Sequence, residues 1–377
     1  MSLKNKIPNG WVETTLGEVC EIKYGKDHKK LNEGKTPCLG SGGIMRYVDE
    51  ILYDKPSVLI PRKGTLSNLF YIDKPFWTVD TLFYTKINTE IIDPIFLYFK
   101  LKTYNLANLN VGSAVPSLTT AVLNQFPFEI PKNIEEQKAI AKTLTAFDDK
   151  IENLQAQNNT LETTAQTIFK EWFGKYQIGD ELPEGWRVGK LGDIAFNHSK
   201  SFKFSDKNVV FINTGDVSEG QFLHSNEIVP IGLPGQAKKS IELHDILYSE
   251  IRPKNKRFAF VDFETPNYVV STKFMIIRPI DNFSPFILYF ILKSKEAIDE
   301  FNIVAESRSG TFPQITFDSI KHYPLIIPPI EIQLNFEKTL KIIMDKQKNN
   351  TQQIETLKKT RDTLLPKLMN GELRVKI

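Results

Sequence analysis

Residues 133–173 read NIEEQKAIAKTLTAFDDKIENLQAQNNTLETTAQTIFKEWF, and their spacing decides how the chain is organised. Ile140, Leu144, Phe147, Ile151, Leu154, Leu161, Ala165 and Ile168 alternate steps of four and three, with Asn158 as a polar rung among them. A period of about 3.5 residues puts these side chains in one narrow stripe, the seam of a coiled coil rather than the broad face of a helix lying on a core. The same stepping returns in Phe336, Leu340, Ile343, Ile354, Leu357, Leu364 and Leu368, with polar Gln347, Asn350 and Arg361 on the remaining rungs. Two seams in one chain are expected to face each other.

The flanking segments repeat too. IPNGWVETTLGEV (7–19) returns as LPEGWRVGKLGDI (182–194), DPIFLYFKL (93–101) as SPFILYFIL (284–292), PSLTTAVLNQFPFEIP (116–131) as PQITFDSIKHYPLIIP (313–328), and IEEQKAIAKTL (134–144) as IEIQLNFEKTL (330–340). Four blocks in the same order make the chain a duplication of one unit, a globular domain followed by a long helix. Boundaries are expected at 1–132, 133–176, 177–328 and 329–377. Within each globular part, β-rich runs (57–60, 76–85, 209–213, 246–248, 258–263 and 268–277) alternate with turn residues, while 93–103 and 284–295 read as helices with Pro94 and Pro285 in the first turn. The fold class is therefore mixed α/β.

Asn133 is expected to cap the first long helix, with Glu136 completing a capping box and Gly174 in a left-handed C-cap. A helix of roughly 40 residues makes a rod of about 60 Å. Pro366 is expected to kink or stop the second helix before Asn370 and Gly371. Since the second domain lies between the end of one rod and the start of the next, an antiparallel intramolecular coiled coil with a pseudo-twofold relation between the domains is the simplest arrangement. In such a pair the polar rungs meet mid-rod, where two readings stand: Asn158 pairs with Gln347 or Asn350 and sets the register, or the seam there is locally loose and hydrated.

Apolar residues at 41% and charged residues at 25% are those of a soluble globular chain, and a net charge of +3 leaves any anionic partner to local clusters. Residues 1–132 hold 16 basic and 13 acidic residues, and 177–328 hold 17 and 19, so neither domain is uniformly basic. The first ten residues are polar, and no apolar run approaches the roughly 18 residues of a membrane span, so a cytoplasmic chain is expected. Cys20 and Cys38 lie in no metal-ligand spacing and are expected to be buried thiols. Phosphate-loop, GxSxG and HExxH signatures are absent from the sequence. LGSGGI (39–44) is glycine-rich without the GxGxxG spacing, and reads as a loop near a ligand rather than a cofactor cradle.

What remains is suited to binding. RPKNKR (252–257) puts four cations in six residues between β-rich runs, supplying Arg252, Lys254, Asn255, Lys256 and Arg257. Its counterpart PRKGTLSN (61–68) supplies Arg62, Lys63, Ser67 and Asn68; Lys26, Lys29, Lys30, Arg46, Lys203, Lys238, Lys239 and Arg308 are further candidates. Such loops can lie along DNA phosphates through lysine, while Arg, Asn and Ser reach base edges. A charge run is more commonly a solvated face. The equivalent position of the two strongest clusters in both halves argues for use.

The GW...LG openings, the IPKNIEEQKAI and IPPIEIQLNF approaches with their acidic-x-Gln signature, and the tail TLLPKLMNGEL (363–373) resemble the specificity subunit of type I restriction-modification systems over the full chain. That resemblance implies two target-recognition domains, each reading one half of a bipartite asymmetric site in double-stranded DNA, with half-sites on the order of one turn, 34 Å, apart. It implies that the helices form the spacer and dock two methyltransferase (modification) subunits, with restriction subunits in the full complex. S-adenosylmethionine, ATP and Mg²⁺ are then expected on those partners and none on this chain, which has no catalytic role; target adenines would be flipped into the partner's pocket. Glu331-Ile332-Gln333 departs from the family's pattern, which carries a second acidic residue before Gln. Two other classes fit less: a coiled-coil tether, which would self-associate without sequence preference, and a DNA-modifying enzyme with an unrecognised motif, which would bind S-adenosylmethionine or cut DNA alone.

Overall fold

The structure, a computed structural model, describes residues 7–110, 116–308 and 310–376. Its contacts divide the chain into two units: the first joins the N-terminal globular part and the first long helix up to Ala156 with the chain from Asn350 onward, and the second spans Gln157–Asn349. Each long helix therefore contributes one half to each unit. The helices run Ile134–Phe173 and Ile330–Met369, 40 residues apiece.

In the first unit, Cys20–Tyr24, Leu82–Ile87, Ser57–Pro61 and Phe70–Ile72 form an antiparallel sheet in that order. A second sheet places Glu33–Gly40 between antiparallel Gly43–Val48 and parallel Trp77–Thr78. Trp11–Thr15 pairs antiparallel with Pro127–Pro131, so the chain enters and leaves the globular part side by side. The second unit repeats this plan. Ala195–Asn197, Phe274–Pro279, Ile246–Ser249 and Phe258–Phe260 take the same strand order, and Arg187–Lys190 pairs with Pro324–Ile327. Its second sheet again sets Val209–Ile212 parallel to Tyr268–Ser271, with Ala237–Ser240 added outside. The mixed α/β reading and the internal repeat thus hold at the level of topology.

Two β-rich runs are broken: 76–85 at 79–81 and 268–277 at 272–273, in both cases where the chain turns from one sheet into the other. Pro94–Lys102 and Pro285–Leu292 are the expected helices, capped by Asp93 and Ser284. A helix not expected from the pattern follows, Lys295–Arg308, burying Ala297, Ile298, Phe301 and Ala305.

Every predicted seam position is buried or half-buried. In the first unit Ile140, Ala141 and Leu144 enter the same core as Leu368 and Met369, and Ile151 and Leu154 meet Ile354 and Leu357. In the second, Phe169, Trp172 and Phe173 surround Phe336, with Ala165 and Leu340 in the same core. Early residues of one helix meet late residues of the other, so the pair is antiparallel. Asn158 Nδ2 donates to the Gln347 carbonyl at 3.4 Å and Gln347 Nε2 to the Asn158 carbonyl at 3.2 Å, each amide reaching the other helix's backbone. Arg361 reaches the Asp148 carboxylate, which accounts for a cation on a seam rung.

Three local expectations need correcting. Glu136 does not close a capping box: Asn133 Oδ1 accepts from Glu135 N at 2.9 Å, but the Glu136 carboxylate is buried against Arg374 at 2.6 Å. Gly174 follows the helix end without a positive φ, whereas Gly371, at φ +74, supplies the left-handed residue after the second helix. Pro366 neither stops the helix nor sits at its end, because the last turn is held from outside: Lys100 Nζ donates to the Met369 carbonyl at 2.6 Å, and Leu368 and Met369 are core residues. Cys20 and Cys38 are buried free thiols, and burial pushes the Cys20 thiol up to about 12.

Candidate nucleic-acid interface

The repeated Gln of the acidic-x-Gln signature anchors each helix to its domain. Gln137 Oε1 accepts from Asp93 N at 2.8 Å, and its Nε2 donates to the Ile91 and Pro131 carbonyls at 3.0 and 2.9 Å. Gln333 does the same in the second unit, accepting from Ser284 N and donating to the Pro328 carbonyl, both at 2.9 Å. Both side chains are buried. Asp93 and Ser284 are the capping residues of the following helices, so one amide ties a strand end, a helix start and a long helix together.

The candidate loops leave this scaffold at one equivalent place. In the first unit Lys63 bridges Ser117, Leu118 N donates to the Arg62 carbonyl at 2.9 Å, and Gly64 N donates to the Pro116 carbonyl at 3.3 Å. In the second, Ile251 bridges Gln314, Ile315 N donates to the Glu250 carbonyl at 2.8 Å, and Arg252 N donates to the Pro313 carbonyl at 3.1 Å. The backbone register therefore makes Lys63 equivalent to Ile251 and Gly64 to Arg252.

Next to the first loop, but lined by other segments, lies a concavity of about 720 Å³ whose walls include Asp27, Lys29, Ser41, Met45, Asp80 and Thr81. LGSGGI is the turn between strands Glu33–Gly40 and Gly43–Val48, and it forms one wall. Asn68 Nδ2 donates to the Ser41 carbonyl at 3.2 Å, joining the two loops. Arg62 sits 5.2 Å over the Tyr24 ring and donates to the Asp80 carbonyl at 3.1 Å. Lys26, Lys29, Lys30, Lys63 and Ser67 are exposed at this end of the unit. Arg46 is half-buried and donates to the Leu31 carbonyl at 2.8 Å, holding the lysine-bearing segment.

The second concavity, about 480 Å³, is lined by Arg252, Lys254, Asn255, Asn302, Glu306, Gly310 and Pro313. Lys254 stands 3.6 Å from Glu306 and Lys256 3.1 Å from Glu219. Arg257 turns inward, its Nη1 donating to the Gly215 and Val217 carbonyls at 3.3 and 2.8 Å. Arg308 ends its helix and donates to Thr316 Oγ1 at 3.2 Å. Lys203 and Lys238 are exposed on other segments, while Lys239 donates to the Phe274 carbonyl at 2.6 Å and burial lowers its pKa. Arg46, Lys239 and Arg257 are thus occupied inside their units, and neither charge runs nor spacing reveals that. The lining residues Asp27, Asp80, Asn302 and Glu306 carry no sequence signal, because they come from segments distant in the chain. Among the described residues no group of three His, Cys, Asp or Glu side chains is arranged to hold a metal ion, and no helix is long and apolar enough to cross a membrane.

Known proteins supply one family match, two relatives and one solved structure. The chain matches the family described as Type I restriction modification DNA specificity domain twice, over residues 8–163 and 183–359. It is 50% identical over 181 residues to the Type I restriction enzyme HindI specificity subunit of Haemophilus influenzae, covering 48% of this chain and 39% of that protein. It therefore spans less than two thirds of that relative. Against the Type I restriction enzyme MjaIX specificity subunit of Methanocaldococcus jannaschii, identity is 27% over 351 residues, 86% of this chain and 79% of the relative. The crystal structure of a type I restriction-modification system S subunit from M. genitalium shares the fold, with a TM-score of 0.67 over 98% of both chains at 17% identity.

Proposed function

Because the chain belongs to the Type I restriction modification DNA specificity family, we propose that it is the subunit that tells its complex where to act. Each unit reads one half of a bipartite, asymmetric site in double-stranded DNA, and the paired helices fix the register between the readers and dock two modification subunits. Restriction subunits join in a full complex. The observation that carries this reading is the loop that leaves the same scaffold position in both units, beside a concavity, with different side chains: Arg62, Lys63 and Asn68 in one, Arg252, Lys254 and Asn255 in the other. A shared frame places both loops, and unlike side chains give unlike half-sites.

Exposed Lys26, Lys29, Lys30 and Lys63 supply phosphate contacts, which position the duplex without reading it. Arg and Asn side chains at the concavities reach base edges. The chain is a non-catalytic partner acting in the cytoplasm: S-adenosylmethionine belongs to the modification subunits, and ATP with Mg²⁺ to the restriction subunits.

Selection from a random duplex library, using the chain assembled with its modification subunits, tests this. A bipartite asymmetric motif with a fixed gap is expected. Featureless binding together with self-association of the chain would instead make it a tether, and methyl transfer or cleavage by the purified chain alone would make it an enzyme.

A further inference from the structure

Three of the four cations in the 252–257 loop are already engaged, and the fourth stands on a backbone that its side chain disfavours. Lys254 faces Glu306, Lys256 faces Glu219, and Arg257 is bound to two carbonyls. Among the described residues the Arg252 guanidinium has no hydrogen bond or ion pair, and the residue is exposed on the lip of the second concavity. Its backbone lies at φ 45 and ψ 77, and Pro253 follows it. A residue before proline favours extended backbone, and a side chain at positive φ crowds the neighbouring carbonyl. The register-equivalent residue in the first unit is Gly64, at φ +86, and glycine takes a positive φ without strain. So the second unit keeps the turn and places an arginine where the fold calls for glycine. Strain of this kind persists where it positions a working group.

We infer that Arg252 is the specificity-determining residue of the second unit, reading the O6 and N7 edge of a guanine. This deepens the proposed function and rests on it. Two features favour a base edge over a phosphate. Asn302 and Glu306, the latter paired with Lys254 at 3.6 Å, line the same concavity, and such amide and carboxylate groups suit the donors and acceptors of base edges rather than a bare phosphate. The backbone of Arg252 is also fixed on both sides, its N–H donating to the Pro313 carbonyl at 3.1 Å and its carbonyl accepting from Asn255 N at 2.8 Å. A phosphate tolerates a wandering cation; two-point contact with guanine requires an aimed planar fork. The first unit, with Gly64 at this position, has no side chain here and must read its half-site with other residues.

The test compares the wild-type chain with Arg252→Gly and Arg252→Lys by library selection in the assembled complex, salt titration and thermal melting. Arg252→Gly is expected to lose roughly 10-fold or more of discrimination at one G·C pair in one half-site, leave the other half-site unchanged, and melt no lower than wild type, by about 2 °C higher if the strain is fully relieved. Arg252→Lys should keep overall affinity and lose the same discrimination. The inference fails if Arg252→Gly selects the wild-type motif at every position, if it weakens all duplexes equally while the salt slope falls by about one, or if it melts several degrees lower. A wild-type complex that selects no motif at all would overturn the proposed function and this inference with it; the other three outcomes overturn the inference alone.

Discussion

Replacing Gln137 with leucine tests whether the repeated glutamine is the joint between helix and domain. The side chain is fully buried, and its amide serves Asp93 N at 2.8 Å and the Ile91 and Pro131 carbonyls at 3.0 and 2.9 Å. Leucine is close in size, so little cavity forms, but one N–H and two carbonyls lose their partner, the Pro131 carbonyl at a buried bond and the Asp93 N–H and Ile91 carbonyl at part-buried ones. Each such loss costs about 1–3 kcal/mol, partly offset by no longer burying an amide, so the net is about 3 kcal/mol. Gln333 serves one N–H and one carbonyl, both at 2.9 Å, so Gln333→Leu should cost about 1 kcal/mol less. Because the two units need not unfold together, hydrogen exchange in Pro94–Lys102 and Pro285–Leu292 of the full chain under increasing urea is the assay. Protection should fall in the helix beside the altered glutamine and remain in the other. A loss below about 1 kcal/mol for Gln137→Leu, or a larger loss for Gln333→Leu, would refute the reasoning. Gln137→Glu should fare no better, since a carboxylate oxygen would then face the Ile91 and Pro131 carbonyls.

Other perturbations separate structure from reading. Arg257→Ala removes the donor to the Gly215 and Val217 carbonyls, so melting is expected about 2–4 °C lower with the salt slope of DNA binding unchanged; a slope lower by about one at constant melting temperature would return Arg257 to the DNA surface. Asn158→Leu replaces a polar rung whose amide makes a 3.4 Å bond, and the melting temperature should rise by about 2 °C; a fall would mean the Asn158 and Gln347 pair is net stabilising. Burial raises the Glu162 carboxyl, but the Lys293 ammonium at 2.6 Å, with Gln166 and Gln347, outweighs it and holds the pKa below its ordinary 4.5. A carboxyl lowered in the folded state stabilises fully above its unfolded value and loses that contribution as pH falls through the folded one. Glu162→Gln should therefore be less stable than wild type at neutral pH and less sensitive to acid below about pH 4.5; parallel pH profiles would count against it.

The parts of this molecule that were readable from its sequence are those governed by period and repetition. A seam stepping by three and four residues leaves little freedom, and positions from Ile140 to Leu368 are all withdrawn from solvent. The helix Lys295–Arg308 escaped because the apolar run 286–292 masks its start, although Ser294 accepts from Ala297 N at 3.2 Å and Ala297, Ile298, Phe301 and Ala305 make a stripe. The chain breaks at 79–81 and 272–273 lack glycine and proline, so a strand passing between sheets looks continuous. At the candidate site, spacing placed the loops but could not say which cations face outward. Arg257 and Lys239 look as available as Arg252, yet their nitrogens end on backbone carbonyls brought near by the fold.

Duplication makes each unit a control for the other. What both copies keep, such as the glutamine anchor at Gln137 and Gln333 and the bridges from Lys63 to Ser117 and from Ile251 to Gln314, serves the frame that the duplication repeats. What differs at matched backbone positions is free to serve recognition. Gly64 and Arg252 form the sharpest such contrast: the frame there asks for a left-handed residue, glycine meets the demand without strain, and arginine meets it only at a cost. A domain that needed only a cation nearby could carry it on exposed Lys254 or Asn255's neighbouring surface without straining its backbone. The cost is understandable if the position of the guanidinium itself, and not merely its charge, is what the second unit uses.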